Sequence, residues 1–212
     1  MNAERGGAGR EPAARRTEEG MRRLIAFSDA VIAIAMTLLV LPLTDAAGDA
    51  EHTTAWEFLD DHSSLILSVL ISFVVIAVFW WHHHELAEYI ERYDGPLVVL
   101  HFVWLLMIVL LPFSTELGAG HPITGSNVVY LVLLTVAAGS LFAMSAWLRA
   151  RPDLLVDGEP REQFMATGRN WATLGVMIVA LVVAIIWPES GSAAMLILLA
   201  IGPVEAVIHR RR

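Results

Sequence analysis

The sequence predicts an all-α integral membrane protein in which six helices cross the bilayer. Hydrophobic residues make up 56% of the 212-residue chain and charged residues only 17%, against about 25% in a typical soluble domain. Six long apolar stretches follow one another, and all the arginines fall outside them, on one side of the predicted membrane. The length is right for one compact helical bundle.

Each apolar stretch is close to the ~20 residues that a helix needs to cross the hydrocarbon core. The stretches cover 24–43, about 63–81, 96–113, 128–148, 171–187 and 193–208, with Pro42, Pro112 and Pro188 among the residues expected to end them. Residues 1–21 are rich in Ala, Gly, Arg and Glu and lack an apolar run, so we expect a disordered cytosolic tail. Residues 22–212 are then the six-helix membrane domain.

The basic residues predict the orientation of the chain. All 14 are arginine: six precede the first stretch, one lies between the second and third, four lie between the fourth and fifth, and three follow the sixth. The loops between the other stretches are acidic and contain no arginine. Because basic residues flank the cytoplasmic ends of membrane helices, both termini are predicted to be cytoplasmic.

The first stretch combines an acid with an apolar stripe. Asp29 lies within its first turns, and a charge at that depth is costly and usually kept for a function. Ile34, Leu38 and Leu41 follow at spacings that place them on one helix face, and Thr37 stands beside them. We interpret this helix as the wall of a pore, although such a stripe is more often packing or lipid contact.

Polar partners for Asp29 are available at the same depth. The second stretch ends in Trp80, Trp81, His82, His83 and His84. A bond between Asp29 and His83, with Arg23 joining either one and Ser28 adding a donor, would satisfy polar groups that hydrocarbon cannot. Consecutive helical residues point about 100° apart, so the three histidines cannot bind one metal ion together, and no metal or other cofactor is expected.

Several other classes of function find no support in the sequence. The chain has no cysteine, no phosphate-binding glycine loop and no nucleophile or zinc motif, so no enzyme is expected. Its arginines are explained by membrane orientation rather than by nucleic-acid binding. His101, inside the third stretch, is expected to form an internal hydrogen bond. A proton- or metal-coupled transporter that uses Asp29, the histidines and His101 remains the alternative to a channel.

Three short motifs resemble one family. Arg23-x-x-x-Phe27-Ser28-Asp29 resembles the signature of the potassium-channel family that includes the endolysosomal channel transmembrane protein 175 and its bacterial homologues. Trp80-x-x-His83-His84 resembles the inner end of that family's second helix. The stretch Leu110, Leu111, Pro112 and Phe113 resembles the end of its third helix. The run of three histidines leaves open which one takes the paired role.

The resemblance implies a homotetramer of six-helix chains in the cell membrane, with the first helices lining a central pore. Ile34 would form the apolar constriction, Leu38 and Leu41 would stack above it, and the Thr37 hydroxyl would contribute to selectivity. The inner polar network would consist of Arg23, Phe27, Ser28, Asp29, Trp80 and His83. Such a channel would leak potassium, with protons as a further permeant ion. No stretch carries an arginine ladder like that of a voltage sensor.

Overall fold

The computed structural model describes residues 18–50, 54–119, 125–166 and 182. Its helices are α1 (Glu18–Leu38), α2 (Leu41–Asp49), α3 (Ala55–Asp61), α4 (Ser63–Ala87), α5 (Gly95–Ala119), α6 (Ser126–Ala150) and α7 (Glu159–Ala166), with a 3-10 turn at Pro152–Leu154. Four segments are long and apolar enough to span a membrane: Glu18–Gly48, Ser63–Ala87, Gly95–Gly118 and Ser126–Ala150. The all-helical, multi-pass prediction is therefore confirmed for four spans. Of the tail predicted at 1–21, residues 18–21 belong to α1 and residues 1–17 lie outside the described residues. The stretches predicted at 171–187, apart from residue 182, and at 193–208 also lie outside them.

The sequence predicted that the first span would end at Pro42, but it does not. The helix breaks at residues 39 and 40, where the Val40 amide bonds to the Thr37 carbonyl at 3.2 Å, and α2 then continues to Asp49. Proline has no N–H to continue the helical ladder, but it is well accommodated in the first turn of a new helix. Pro42 therefore restarts the helix, and Leu41 belongs to α2 rather than α1.

The expectation that Pro112 ends the third span was also wrong. Helix α5 runs through Pro112 to Ala119. Leu111, Ser114 and Thr115 around it are buried, and the Thr115 hydroxyl donates to the Leu111 carbonyl at 2.9 Å. Within a membrane, neighbouring helices and Ser/Thr side chains compensate for the amide that proline lacks, so a proline is tolerated in a packed helix.

The core lies along the contact between α5 and α6. Trp104, Ile108 and Leu111 of α5 pack with Leu134 and Ala137 of α6, and all five are fully buried. Ala137 allows the two helices to approach closely. This pair forms the scaffold on which α1 and α4 pack, and α2 and α3 in turn contact α4.

Helix α1 packs against this scaffold through one face only. Met21, Ser28, Ile32 and Ala35 are buried, and α1 contacts α5 and, less extensively, α4. The opposite face of α1 is exposed. Among the described residues, the helix that carries the predicted pore residues is therefore packed along one side and exposed along the other.

On the arginine-bearing side, two connections are joined to each other. The amides of Glu91 and Arg92 bond to the Leu154 carbonyl at 3.0 and 3.1 Å. The Trp147 indole donates to both carboxylate oxygens of Asp94 at 3.1 Å. The ends of α4, α5 and α6 are thereby held together.

Candidate ion pathway and inner polar cluster

The exposed face of α1 continues onto α2 and carries the apolar residues that the sequence placed in a pore. Ile34 is 59% exposed, whereas Ile32, two positions earlier, is only 2% exposed. Leu38 and Leu41 are also exposed. None of the three packs into the core that the described residues form, so with respect to them this stripe is available to lipid or to another copy of the chain.

Thr37 lies on the same exposed face. Its hydroxyl donates to the Ile34 carbonyl at 2.7 Å. The hydrogen of the hydroxyl is therefore engaged, and the oxygen lone pairs are left to accept. An oxygen in this state can contact a cation but cannot repel it with its own hydrogen.

Alanines alternate with the larger residues along this face. Ala26, Ala30 and Ala33 are all exposed on α1. Small residues let two membrane helices approach each other closely. The exposed face therefore has the composition of a helix–helix contact, interrupted by the side chains of Ile34 and Leu38.

Behind α1, a chain of buried side chains joins three helices. The Oγ of Ser28 on α1 lies 2.5 Å from Nε2 of His101 on α5, and Nδ1 of His101 lies 3.2 Å from Nε2 of His83 on α4. All three side chains are buried. We name Ser28, His101 and His83 the inner polar cluster.

The structure shows which of the three consecutive histidines faces the bundle. His83 is buried and stacks on Trp104, with ring centroids 4.2 Å apart. His82 and His84 are only partly buried and lie 3.7 and 3.6 Å from Glu85 and Glu88. The 100° step between helical residues explains why only one of them can point inward.

Asp29 has a different partner from the one that the sequence analysis expected. Its carboxylate accepts a hydrogen bond from the Trp80 indole at 2.9 Å rather than bonding to His83. Trp80 also stacks on His84, with centroids 5.3 Å apart. Asp29 follows Ser28 by one helical step, so the two side chains cannot reach the same group, and His83 is already engaged by His101.

Two residues of the predicted inner network lie at the surface of the single chain. Phe27 is exposed, with its ring 6.2 Å from that of Phe102. Arg23 is exposed, and no salt bridge involves it in the part of the chain that the structure describes. The neighbouring Arg22 pairs with Glu18 and Glu19 instead.

His101 makes more contacts than its position in the sequence predicted. A histidine inside an apolar stretch indicated an internal hydrogen bond, but not that it would bond to both neighbouring helices. The sequence did indicate a buried role, because His101 is a polar residue surrounded by apolar ones. Its partners depend on how α1 and α4 pack against α5.

A second buried polar group lies between α4, α5 and α6. The Ser72 hydroxyl is 2.8 Å from that of Thr115 and 3.3 Å from that of Tyr130. All three side chains are buried. In the described ranges, no group of three or more His, Asp or Glu side chains is arranged to hold a metal ion.

Comparison with known proteins gives a consistent result. Residues 23–112 match the family described as the endosomal/lysosomal potassium channel TMEM175. A potassium channel of Streptomyces collinus is 31% identical over 99 residues, which is 47% of this chain and 48% of the relative. A rat protein named endosomal/lysosomal proton channel TMEM175 is 28% identical over 133 residues, which is 61% of this chain and 27% of the relative.

The chain thus aligns with about half of the bacterial relative and about a quarter of the rat protein. The fold is also shared with a solved protein, described as a lysosomal potassium-selective channel TMEM175 homologue from Chamaesiphon minutus. The TM-score is 0.63 at 23% identity, covering 85% of this chain and 94% of the other. The chain is thus a multi-pass membrane protein whose residues 23–112 resemble the TMEM175 family and whose fold is that of a solved TMEM175 homologue.

Proposed function

We propose that this chain forms a potassium-selective leak channel in the cell membrane, with α1 lining a pore between four copies. The observation that carries the proposal is the division of α1 into a buried face, with Ile32 and Ala35, and an exposed face, with Ile34 and Thr37. Relatives named potassium channels support the choice of ion. The pore has no carbonyl filter in this proposal.

The constriction in this proposal is a ring of Ile34 side chains. Four such side chains around an axis would exclude water from a narrow passage and close it by dewetting. Leu38 continues the same exposed surface up to the break at residues 39 and 40, and Leu41 continues it beyond the break. Opening then requires the α1 helices to tilt or rotate until water enters.

Selectivity is assigned to Thr37. Because its hydrogen is bonded to the Ile34 carbonyl, four Thr37 oxygens would present lone pairs toward a passing cation. They would replace part of its hydration shell without forming a rigid cage. Discrimination between potassium and sodium is therefore expected to be modest. Several relatives are named proton channels, so we include protons as a further permeant ion.

The buried polar groups hold α1 in this arrangement. Ser28 is bonded to α5 through His101, and Asp29 is bonded to α4 through Trp80. In the assembly, we place Arg23 and Phe27 at contacts between copies, since both are exposed in the single chain. The inner network of Arg23, Phe27, Ser28, Asp29, Trp80 and His83 would thus fix the inner end of the pore helix.

The alternative is a proton- or metal-coupled transporter. It would use Asp29, His83 and His101 as sites that bind and release the coupling ion. The two histidines are buried and bonded to each other, and neither lies on the exposed face of α1. This arrangement supports a structural role for them and favours the channel.

The test is ion flux from proteoliposomes, with potassium, sodium and proton gradients applied separately to the native chain and to an Ile34→Asn variant. We expect potassium flux above sodium flux, and faster, less selective flux when residue 34 is polar. Leu70→Asn is the matched control, because Leu70 is 57% exposed but lies on α4. Saturable uptake driven by protons or a metal, with no passive potassium flux in any of the three proteins, would favour the transporter.

A further inference from the structure

The donor and the acceptor of each hydrogen bond in the inner polar cluster can be assigned, because each bond contains one hydrogen and the bonds share their side chains. The Ser28 hydroxyl donates to the Leu24 carbonyl at 3.0 Å, so it accepts from Nε2–H of His101. In a neutral imidazole the other nitrogen is then an acceptor. Nδ1 of His101 therefore accepts from Nε2–H of His83. The Leu24 carbonyl, Ser28, His101 and His83 are thus joined by three hydrogen bonds, and both histidines carry their hydrogen on Nε2.

The chain of bonds stops at the far side of His83. In this tautomer Nδ1 of His83 carries a lone pair, and it is buried without a hydrogen-bond partner among the described residues. The indole N–H of Trp104, on the neighbouring helix, is also buried without a partner there. One buried acceptor and one buried donor thus remain unpaired on two side chains in contact. Buried polar groups in folded proteins are nearly always paired.

His83 and Trp104 cannot satisfy each other directly. Their rings are stacked, with centroids 4.2 Å apart and planes only 10° from parallel. A ring N–H and a ring lone pair both lie in the plane of the ring. In a parallel stack each therefore points outward past the edge of the stack and not at the other ring. A third group beside the stack is needed to bond to both.

We propose that a water molecule is bound at the edge of the His83–Trp104 stack, accepting from the indole and donating to Nδ1 of His83. Only a ligand that is donor and acceptor at once fits both nitrogens. A metal cation would face the indole N–H, and an anion would face the imidazole lone pair. Buried waters characteristically bridge polar groups in this way. This site goes beyond the proposed function, since it stands whether or not the chain conducts ions.

The bound water has a consequence for α1. By donating to Nδ1 it keeps Nε2 of His83 protonated, which keeps Nδ1 of His101 an acceptor and its Nε2–H directed at Ser28. The water, on the α4–α5 side, thereby favours the same direction of bonding that the Ser28–Leu24 bond sets on the α1 side. His101 and Trp104 are positioning residues in this arrangement.

The experiment is solid-state NMR on the ¹⁵N-labelled full chain in lipid bilayers, with magnetisation transferred from water to the indole N–H groups. A Trp104→Phe variant assigns the Trp104 signal, and Trp56, which is 82% exposed, is the positive control. We expect a direct water contact at Trp104 and imidazole ¹⁵N shifts that show both His83 and His101 protonated at Nε2. A folded chain whose Trp104 signal receives nothing from water would overturn the proposal.

A His83→Gln variant tests whether the water is shared. Glutamine places its amide near the Nε2 position and can still bond to His101, but it has no group at the Nδ1 position. We expect the water signal at Trp104 to be lost while the His101 tautomer is retained. An undiminished Trp104 signal in that variant would show that the water does not bridge to His83, and would also overturn the proposal.

Discussion

The hydroxyl oxygen of Ser28 lies 2.5 Å from Nε2 of His101, a residue 73 positions later in the chain. This contact joins α1 to α5 at a point where both side chains are buried. Because His101 also bonds to His83, the same imidazole connects α1 to α4. The helix that we propose to line the pore is thus attached to the scaffold through a polar contact, and its apolar stripe remains exposed on the other face.

Removing the Ser28 hydroxyl should destabilise the protein. In Ser28→Ala, Nε2–H of His101 would remain buried without an acceptor, which costs about 1–3 kcal/mol. We expect a lower Tm in detergent for this variant. Ser68→Ala is the control: its hydroxyl also donates to a carbonyl four residues earlier, but near the surface, so a change within about 0.5 kcal/mol is expected. Equal Tm values for the two variants would contradict a linking role for Ser28.

The bond between Trp80 and Asp29 should appear as a coupling energy. Trp80→Phe removes the indole donor and Asp29→Asn removes the charge on the acceptor. Residues in contact couple by about 0.5–3 kcal/mol in a double-mutant cycle. Equilibrium unfolding of the native chain, both single variants and the double variant would measure it. Strict additivity would show that the carboxylate charge contributes nothing to the bond, since the asparagine oxygen can still accept from the indole.

Thr37→Val should reduce the selectivity of the proposed channel. Valine has nearly the shape of threonine but no oxygen, so a passing potassium ion would lose its contact with the lone pairs. A loss equivalent to one ordinary hydrogen bond, about 1 kcal/mol, corresponds to roughly a fivefold fall in the potassium-to-sodium permeability ratio. Reversal potentials in planar bilayers would measure it. Thr37→Ser retains the hydroxyl and should retain the ratio.

A cysteine at position 34 should crosslink copies of the chain. The native sequence has no cysteine, so a single one reports without background. If Ile34 faces the axis of a narrow pore, Ile34→Cys side chains from different copies come within disulfide reach, which needs Cβ atoms about 4 Å apart. We expect covalent dimers after mild oxidation in membranes. Val99→Cys, on the exposed face of α5, should remain monomeric. Crosslinking of Val99→Cys but not of Ile34→Cys would show that copies of the chain meet through α5 and not through α1.

The Glu57 carboxyl, which forms a capping box with Thr54 at the start of α3, should have a lowered pKa. The backbone N–H of Thr54, and then its hydroxyl, bond to the Glu57 carboxylate and lower the pKa of that carboxyl from the ordinary 4.5. Because the pKa is lower in the folded state, the ionised carboxylate stabilises the fold at pH values above the ordinary pKa. That stabilisation is lost as the pH falls through the lowered pKa. NMR titration should give a midpoint below 4.5 for Glu57. In Thr54→Gly the hydroxyl bond is absent, and the midpoint should rise toward the ordinary value.

The helical class and the four described spans could be predicted from the sequence because both follow from local properties. Runs of about 20 apolar residues can be satisfied in a bilayer only as helices that complete their own hydrogen bonds. The motif at Arg23, Phe27, Ser28 and Asp29 pointed to the family that the comparisons support. The exposed stripe of Ile34 and Leu38 followed from helical spacing, although spacing alone did not say which face of α1 would be buried.

Helix ends at proline could not be predicted, because proline has the same local effect in different settings. Pro42 begins α2 after a break, whereas Pro112 lies inside α5. Whether a missing N–H ends a helix depends on what neighbouring helices supply around it. That is a property of packing, which a single chain segment does not contain.

Residue chemistry alone was enough to predict that polar groups from separate spans would meet inside this membrane bundle, since hydrocarbon cannot satisfy the side chains of Ser28, Asp29, His83 and His101. The actual pairs are visible only in the folded chain: Ser28 with His101, His101 with His83, and Asp29 with Trp80. The physical reason is that hydrogen bonds require distances near 3 Å and fixed directions. The rotation and depth of α1, α4 and α5 against one another set both, and these are fixed by the packing of the buried side chains between them.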